Sequence, residues 1–136
     1  MSRHVAREHL FQLTFEYIFS NEKNEQTLNA YLMDATLCDE DKRYMVKAYD
    51  GITAHFDELK SIVAQFADGY NADRIYKPDL AAMILCAYEL KYEDDIPAAV
   101  SINEAVDLVK KFSTEKSKTF VNGVLASVNK YLSENK

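Results

Sequence analysis

The sequence has few of the residues that form tight turns. Three glycines and two prolines occur in 136 residues, and there is no tryptophan. Because glycine and proline form most turns between short strands, this scarcity argues against a β-rich fold. The length and the 48% hydrophobic content fit one globular domain. We therefore expect an all-α fold in a single domain over residues 1–136.

Cysteine and long apolar runs are also scarce. Cys38 and Cys86 stand in apolar stretches without a CxxC motif, so both are expected to be buried, reduced thiols. The N-terminus carries charges where a signal peptide needs apolar residues, and no stretch approaches the roughly 18 apolar residues of a membrane span. These features predict a cytoplasmic protein.

Groups that could form a catalytic site or hold a metal are missing as well. His4 and His9 stand five residues apart, whereas metal-binding histidines on a helix usually stand four apart, and His55 is remote in sequence. There is neither a nucleophile beside a base nor a glycine-rich phosphate loop. We expect no enzymatic activity, no cofactor and no metal.

Apolar residues recur instead at three- and four-residue steps, which is typical of helices with one buried face. This spacing predicts six or seven helices and no strand. The predicted helices in the first half cover residues 3–19, 25–37 and 40–67, with Gly51 a point where the third softens or breaks. Gly69 ends this half. The helices are expected to form two small bundles, over about 1–70 and 71–136.

The second half is predicted to begin with the most buried helix. Pro78 fits only the first turn of a helix, and residues 80–90 are apolar on nearly every side. A helix of this kind is surrounded by others. Two further helices are predicted, one after Pro97 and one over about 116–132.

Charge is distributed unevenly along the chain. The net charge is −6, which argues against binding of nucleic acid, and residues 21–70 carry five basic and ten acidic side chains. Between positions 110 and 118, in contrast, four lysines face a single acid, and the local charge is +3: Lys110, Lys111, Glu115, Lys116 and Lys118. This stretch is either a basic patch for RNA or a solvated helix face.

An ordered set of short motifs extends over nearly the whole length of the chain. At the N-terminus the set includes Ala6-Arg7-Glu8, Gln12 and Leu13. The more specific motifs lie in the second half: Asp73-Arg74-Ile75, Leu80–Leu85, Ala87–Leu90, Asp95-Ile96-Pro97, Ile102–Val106, Lys110-Lys111-Phe112 and Phe120–Leu125. This ordered set resembles the NusB family of bacterial transcription antitermination factors.

The resemblance implies an all-helical fold of two bundles and a role in RNA binding. NusB-like proteins pair with the ribosomal protein NusE, bind boxA RNA, and help RNA polymerase to read through terminators, notably on ribosomal RNA operons. Carried over by position, the implied RNA-binding residues are Arg3, His4, Arg7, Lys116, Ser117, Lys118 and Phe120. The implied partner-binding residues are Phe15 and Asp79.

The residue types agree with these roles, but several also have a structural interpretation. Arg3, Arg7 and the two lysines can reach phosphates, and Phe120 can stack on an unpaired base or simply belong to the core. Phe15 can likewise belong to the core, and Asp79 can cap its helix.

The N-terminal segment has fewer arginines than is usual in the family, so the chain alone is predicted to bind RNA weakly and to depend on its partner. The alternative function is a helical protein–protein adaptor with little RNA binding of its own. A homodimer is a further expectation when the partner is absent.

Overall fold

The computed structural model describes residues 2–67 and 71–135, and these residues form seven α-helices and no strand. The expected all-α fold is therefore confirmed for them. The boundary predicted at Gly69 lies outside the described residues, and the division into two bundles stays a prediction. The helices are α1 (Ser2–Ser20), α2 (Glu25–Leu32), α3 (Asp39–Ala54), α4 (Phe56–Gln65), α5 (Lys77–Tyr92), α6 (Ala98–Phe112) and α7 (Ser117–Glu134).

Helix α5 is the centre of the molecule, as its composition predicts. Pro78 occupies its first turn, and every residue from Asp79 to Glu89 is buried. The helix packs against α1, α3, α4, α6 and α7. Residues near its first turn are therefore close to the ends of several other helices. No helix of the described residues is both long and apolar enough to span a bilayer.

The long helix predicted over 40–67 is two helices, and the break lies at His55 rather than at Gly51. At this point the chain leaves helical geometry, and Phe56 becomes buried with its ring 4.9 Å from that of Tyr17. The His55 ring stacks on Tyr92 of α5 at 4.6 Å. Tertiary packing of two aromatic rings, which local sequence does not reveal, thus determines where α3 ends.

Two further expectations were wrong. Cys38 is exposed, because it precedes the first turn of α3 at the surface, whereas Cys86 is buried as expected. Helix α2 ends at Leu32 rather than at residue 37. A turn follows it in which the Asp34 carboxylate accepts hydrogen bonds from the backbone N–H and the hydroxyl of Thr36, at 2.9 and 2.7 Å.

Gly51 allows close packing instead of breaking the helix, and this predicts the effect of a substitution. A Cβ atom at Gly51 would overlap the buried ring of Tyr88, which a 2.6 Å hydrogen bond to Glu93 holds in place. We expect Gly51→Ala to destabilise the protein, because overpacking costs about 1–3 kcal/mol and outweighs the gain of about 1 kcal/mol in helix propensity.

Gly123→Ala is the matched control, because nothing lies within 4 Å of a Cβ atom at that position on α7. Urea denaturation should show a lower free energy of unfolding for Gly51→Ala and an equal or higher one for Gly123→Ala. A gain of stability in both variants would contradict the close packing of Gly51 against Tyr88.

Candidate nucleic-acid interface

The predicted RNA-binding residues at the N-terminus contact carboxylates of the protein itself. Arg3 donates from Nε to Oδ1 of Asp41 at 2.6 Å, and its guanidinium lies 4.1 Å from the centre of the Tyr44 ring. The His4 ring lies 3.0 Å from a carboxylate oxygen of Glu104 on α6 and 3.3 Å from one of Glu8. The positive charge at this end of α1 is therefore largely compensated within the protein.

Arg7 lies inside the protein rather than at the surface where a phosphate ligand is expected. Its side chain is 6% exposed and faces Glu89 of α5, which is 1% exposed. Two hydrogen bonds join the groups, from Nε to Oε2 at 2.8 Å and from Nη2 to Oε1 at 3.1 Å. A guanidinium held in this fork is not available to RNA in this structure. Arg7 is buried because it pairs with Glu89, which lies 82 positions further along the sequence.

Glu89 accepts four hydrogen bonds from three side chains, which lie on three other helices. Besides Arg7, the hydroxyl of Ser101 donates to it at 2.7 Å, and so does the hydroxyl of Tyr44. Burial would lower the pKa of Arg7, but the hydrogen bond and the charge of Glu89 outweigh burial and raise this pKa above its ordinary value. Burial and the neighbouring Glu89 also raise the pKa of Tyr44. This cluster joins α1, α3, α5 and α6.

The second predicted group, at the start of α7, lines an open cleft of about 290 Å³. The cleft lies where the chain before α5, the first turn of α5 and the α6–α7 connection meet. Its lining includes two cations, two rings, a carboxylate and a hydroxyl: Arg74, Tyr76, Asp79, Lys116, Ser117 and Phe120. The structure thus brings together Lys116, Ser117 and Phe120, together with Asp79, which the family resemblance implies as a partner contact.

Hydrogen bonds hold the floor of this cleft. Asp79 is 5% exposed and accepts a hydrogen bond from Ser113 at 2.6 Å. The Ser113 hydroxyl lies 2.9 Å from that of Ser117, which is also buried and which accepts from the backbone N–H of Thr114 at 3.3 Å. Asp79 and Ser117 therefore fix the relative position of α5 and α7 through Ser113. The Asp79 carboxylate, which was also interpreted as a helix cap, links α5 to the α6–α7 connection.

The lysines at the start of α7 are exposed and remain available to a ligand. Within the described part of the chain, no carboxylate lies within 4.0 Å of the Lys116 or the Lys118 ammonium. Lys111, in contrast, is bound to Glu8 at 2.9 Å. In a protein of net charge −6, two exposed lysines without a counter-charge are favourable positions for phosphate.

The rings of the cleft differ in exposure. Phe120 is half-buried, packs against the core and also lines the cleft, so its role in base stacking stays a prediction. Tyr76 is 57% exposed. Neither Tyr76 nor Arg74 was predicted as a site residue, although one signal was present: the aromatic residue follows the cation by two positions, directly before α5 begins at Lys77.

Phe15 lies at a different surface from Asp79. It is half-buried, with its ring 5.1 Å from that of Phe19, which is 62% exposed. Gln12, Phe15, Phe19 and Tyr31 line a shallow groove of about 510 Å³ beside α1. The two residues implied as partner contacts thus occupy separate cavities, because Asp79 faces the α6–α7 connection.

An all-helical protein with uncompensated lysines beside aromatic rings has the features of a helical nucleic-acid-binding protein. The model of the NusB family matches residues 2–130. The transcription antitermination protein NusB of Agathobacter rectalis is 40% identical over 93% of this chain and 98% of its own length. That of Ruminiclostridium cellulolyticum is 36% identical over 96% and 90%. The chain belongs to the NusB family.

Solved structures agree with this assignment. NusB of T. maritima is 28% identical with a TM-score of 0.86, and the match covers 96% of this chain and 92% of that one. A second similar structure contains the antitermination factors NusB and NusE in complex with dsRNA. It is 25% identical with a TM-score of 0.83, over 96% of this chain and 97% of that one.

Proposed function

We propose that this chain is a transcription antitermination factor that binds boxA RNA together with a NusE-type ribosomal protein. The pair acts in the cytoplasm on the RNA polymerase elongation complex and promotes read-through, notably on ribosomal RNA operons. The role is binding rather than catalysis and needs no cofactor. The observation that carries the proposal is the cleft at the start of α7, where Arg74 and the exposed Lys116 lie with the rings of Tyr76 and Phe120.

RNA contacts are assigned mainly to this cleft and its rim. Lys116 and Lys118 bind phosphates, and Phe120 contributes an aromatic wall. Arg3 and His4 contribute less, because their partners are carboxylates of the protein itself. Arg7 acts as a positioning residue that holds α1 on α5 through Glu89.

The protein partner is assigned to the groove at Phe15. Exposed aromatic rings are favoured where binding energy concentrates, and Phe19 extends this surface. In the absence of the partner, the same groove is available to a second copy of the chain, which gives a homodimer.

One observation favours the adaptor alternative. Arg3, His4 and Arg7 all bind carboxylates of this chain, so the N-terminal segment offers little charge to phosphates. An adaptor of this kind would bind the ribosomal protein without changing that protein's affinity for RNA.

A titration of fluorescently labelled boxA RNA distinguishes the two functions. We expect weak binding by this chain alone and tighter binding by the chain and partner together than by the partner alone, because few phosphate contacts give low intrinsic affinity. A scrambled RNA is the control for sequence preference. Tight binding without partner would refute the partner dependence. Equal affinity with and without this chain would support the adaptor.

A further inference from the structure

Tyr76 is the most exposed ring in the cleft, and its backbone is firmly held. Ile75 before it is buried, and the Ile75 N–H donates to the carbonyl of Ala72 at 3.2 Å. The Tyr76 carbonyl accepts from the N–H of Leu80 in α5 at 3.0 Å. Pro78 follows two residues later and fixes the backbone in the first turn of α5. The ring is therefore presented to solvent on a rigid support.

The surroundings of Tyr76 complement one nucleotide of RNA. Arg74 and Lys116 line the same cleft and supply positive charge for phosphates. The buried Asp79 carboxylate disfavours a phosphate at the floor, so a phosphate is expected at the rim and a base inside. The volume of about 290 Å³ is at the small end of ligand pockets and suits a single base rather than a base pair.

We propose that Tyr76 is a stacking platform for one unpaired base of the bound RNA, with Arg74 and Lys116 on the flanking phosphates. The inference rests on the proposed RNA-binding function and deepens it. It specifies a single-stranded segment at this cleft, since bases inside a duplex are already stacked and do not offer a face to a side chain. Tyr76 is thus a specificity-determining residue for unpaired RNA.

The test uses the complex of this chain and its partner with boxA RNA that carries 2-aminopurine at one position at a time. The chain has no tryptophan, so it contributes no indole background when the base is excited. Stacking on a tyrosine should quench the fluorescence at one position. Tyr76→Ala and Tyr76→Leu should abolish this quenching and weaken binding about 5- to 150-fold, whereas Tyr76→Phe should retain both.

Tyr76→Leu is the matched control, because it keeps apolar bulk without a ring. Since Tyr76 is largely exposed, all variants should unfold at the same urea concentration as the wild type. Unchanged affinity of Tyr76→Ala, wild-type behaviour of Tyr76→Leu, or equal affinity for the same RNA in duplex form would overturn the stacking role while RNA binding stands. If the wild-type complex itself fails to bind RNA, the proposed function falls, and this inference with it.

Discussion

A Glu89→Ala variant is expected to lose about 3–5 kcal/mol of its free energy of unfolding, because the substitution removes the carboxylate that binds two nitrogens of the buried Arg7 guanidinium. Only the longer contact of Arg7 to Glu104, at 3.3 Å, remains. The substitution also removes the acceptor of the Tyr44 and Ser101 hydroxyls, and burying polar groups that have lost their partners is expensive. Urea denaturation monitored by circular dichroism measures the loss.

Asp50→Ala is the control for removing a carboxylate. Asp50 is 58% exposed and pairs with the Lys23 side chain at the surface. A pair of this kind contributes about 0–1 kcal/mol, so this variant should unfold almost as the wild type does. If Glu89→Ala lost equally little free energy of unfolding, the cluster around Glu89 would not stabilise the fold as proposed.

The double variant Arg7→Met/Glu89→Leu separates the structural role of Arg7 from a role in RNA binding. Replacing both charges with apolar side chains of similar volume should restore part of the stability, because the buried charge is gone while the Tyr44 and Ser101 hydroxyls still lack their acceptor. RNA affinity should then be close to that of the wild type. If the double variant folds but loses as much RNA affinity as a variant without Lys116 and Lys118, Arg7 contacts RNA directly.

Replacing Lys116 and Lys118 together with alanine is expected to give the largest loss of RNA affinity at low salt. Each phosphate contact on a single strand contributes about −0.7 to the slope of log affinity against log salt concentration. The double variant should therefore bind with a slope shallower by about 1.4. Titrations of the complex at several salt concentrations measure the slope.

The matched control is Arg43→Ala/Lys130→Ala, which removes the same charge from two exposed positions outside the cleft. Its slope should equal that of the wild type. If both double variants changed the slope equally, net charge rather than the cleft would govern binding.

The sequence predicts the fold well where one residue type determines local structure. Pro78 and the apolar residues of α5 locate the central helix without knowledge of any contact. The break at His55 is not predictable in this way, because it depends on the rings of Tyr17 and Tyr92, which are distant in sequence.

The candidate site was predictable in part. The local charge at Lys116 and Lys118 follows from composition, and the structure exposes both. The burial of Arg7 could not be foreseen, because its position along α1 resembles that of Arg3 while its partner is 82 residues away. Tyr76 was missed because only the folded chain brings it to the start of α7.

The most direct test of the central claim, that RNA binds at the start of α7, is photo-crosslinking. The complex with partner and boxA RNA carrying photoreactive uridines would be irradiated, and the crosslinked peptides identified by mass spectrometry. We expect crosslinks in the segments 71–80 and 113–121. Crosslinks confined to residues 2–9 of α1 would contradict it.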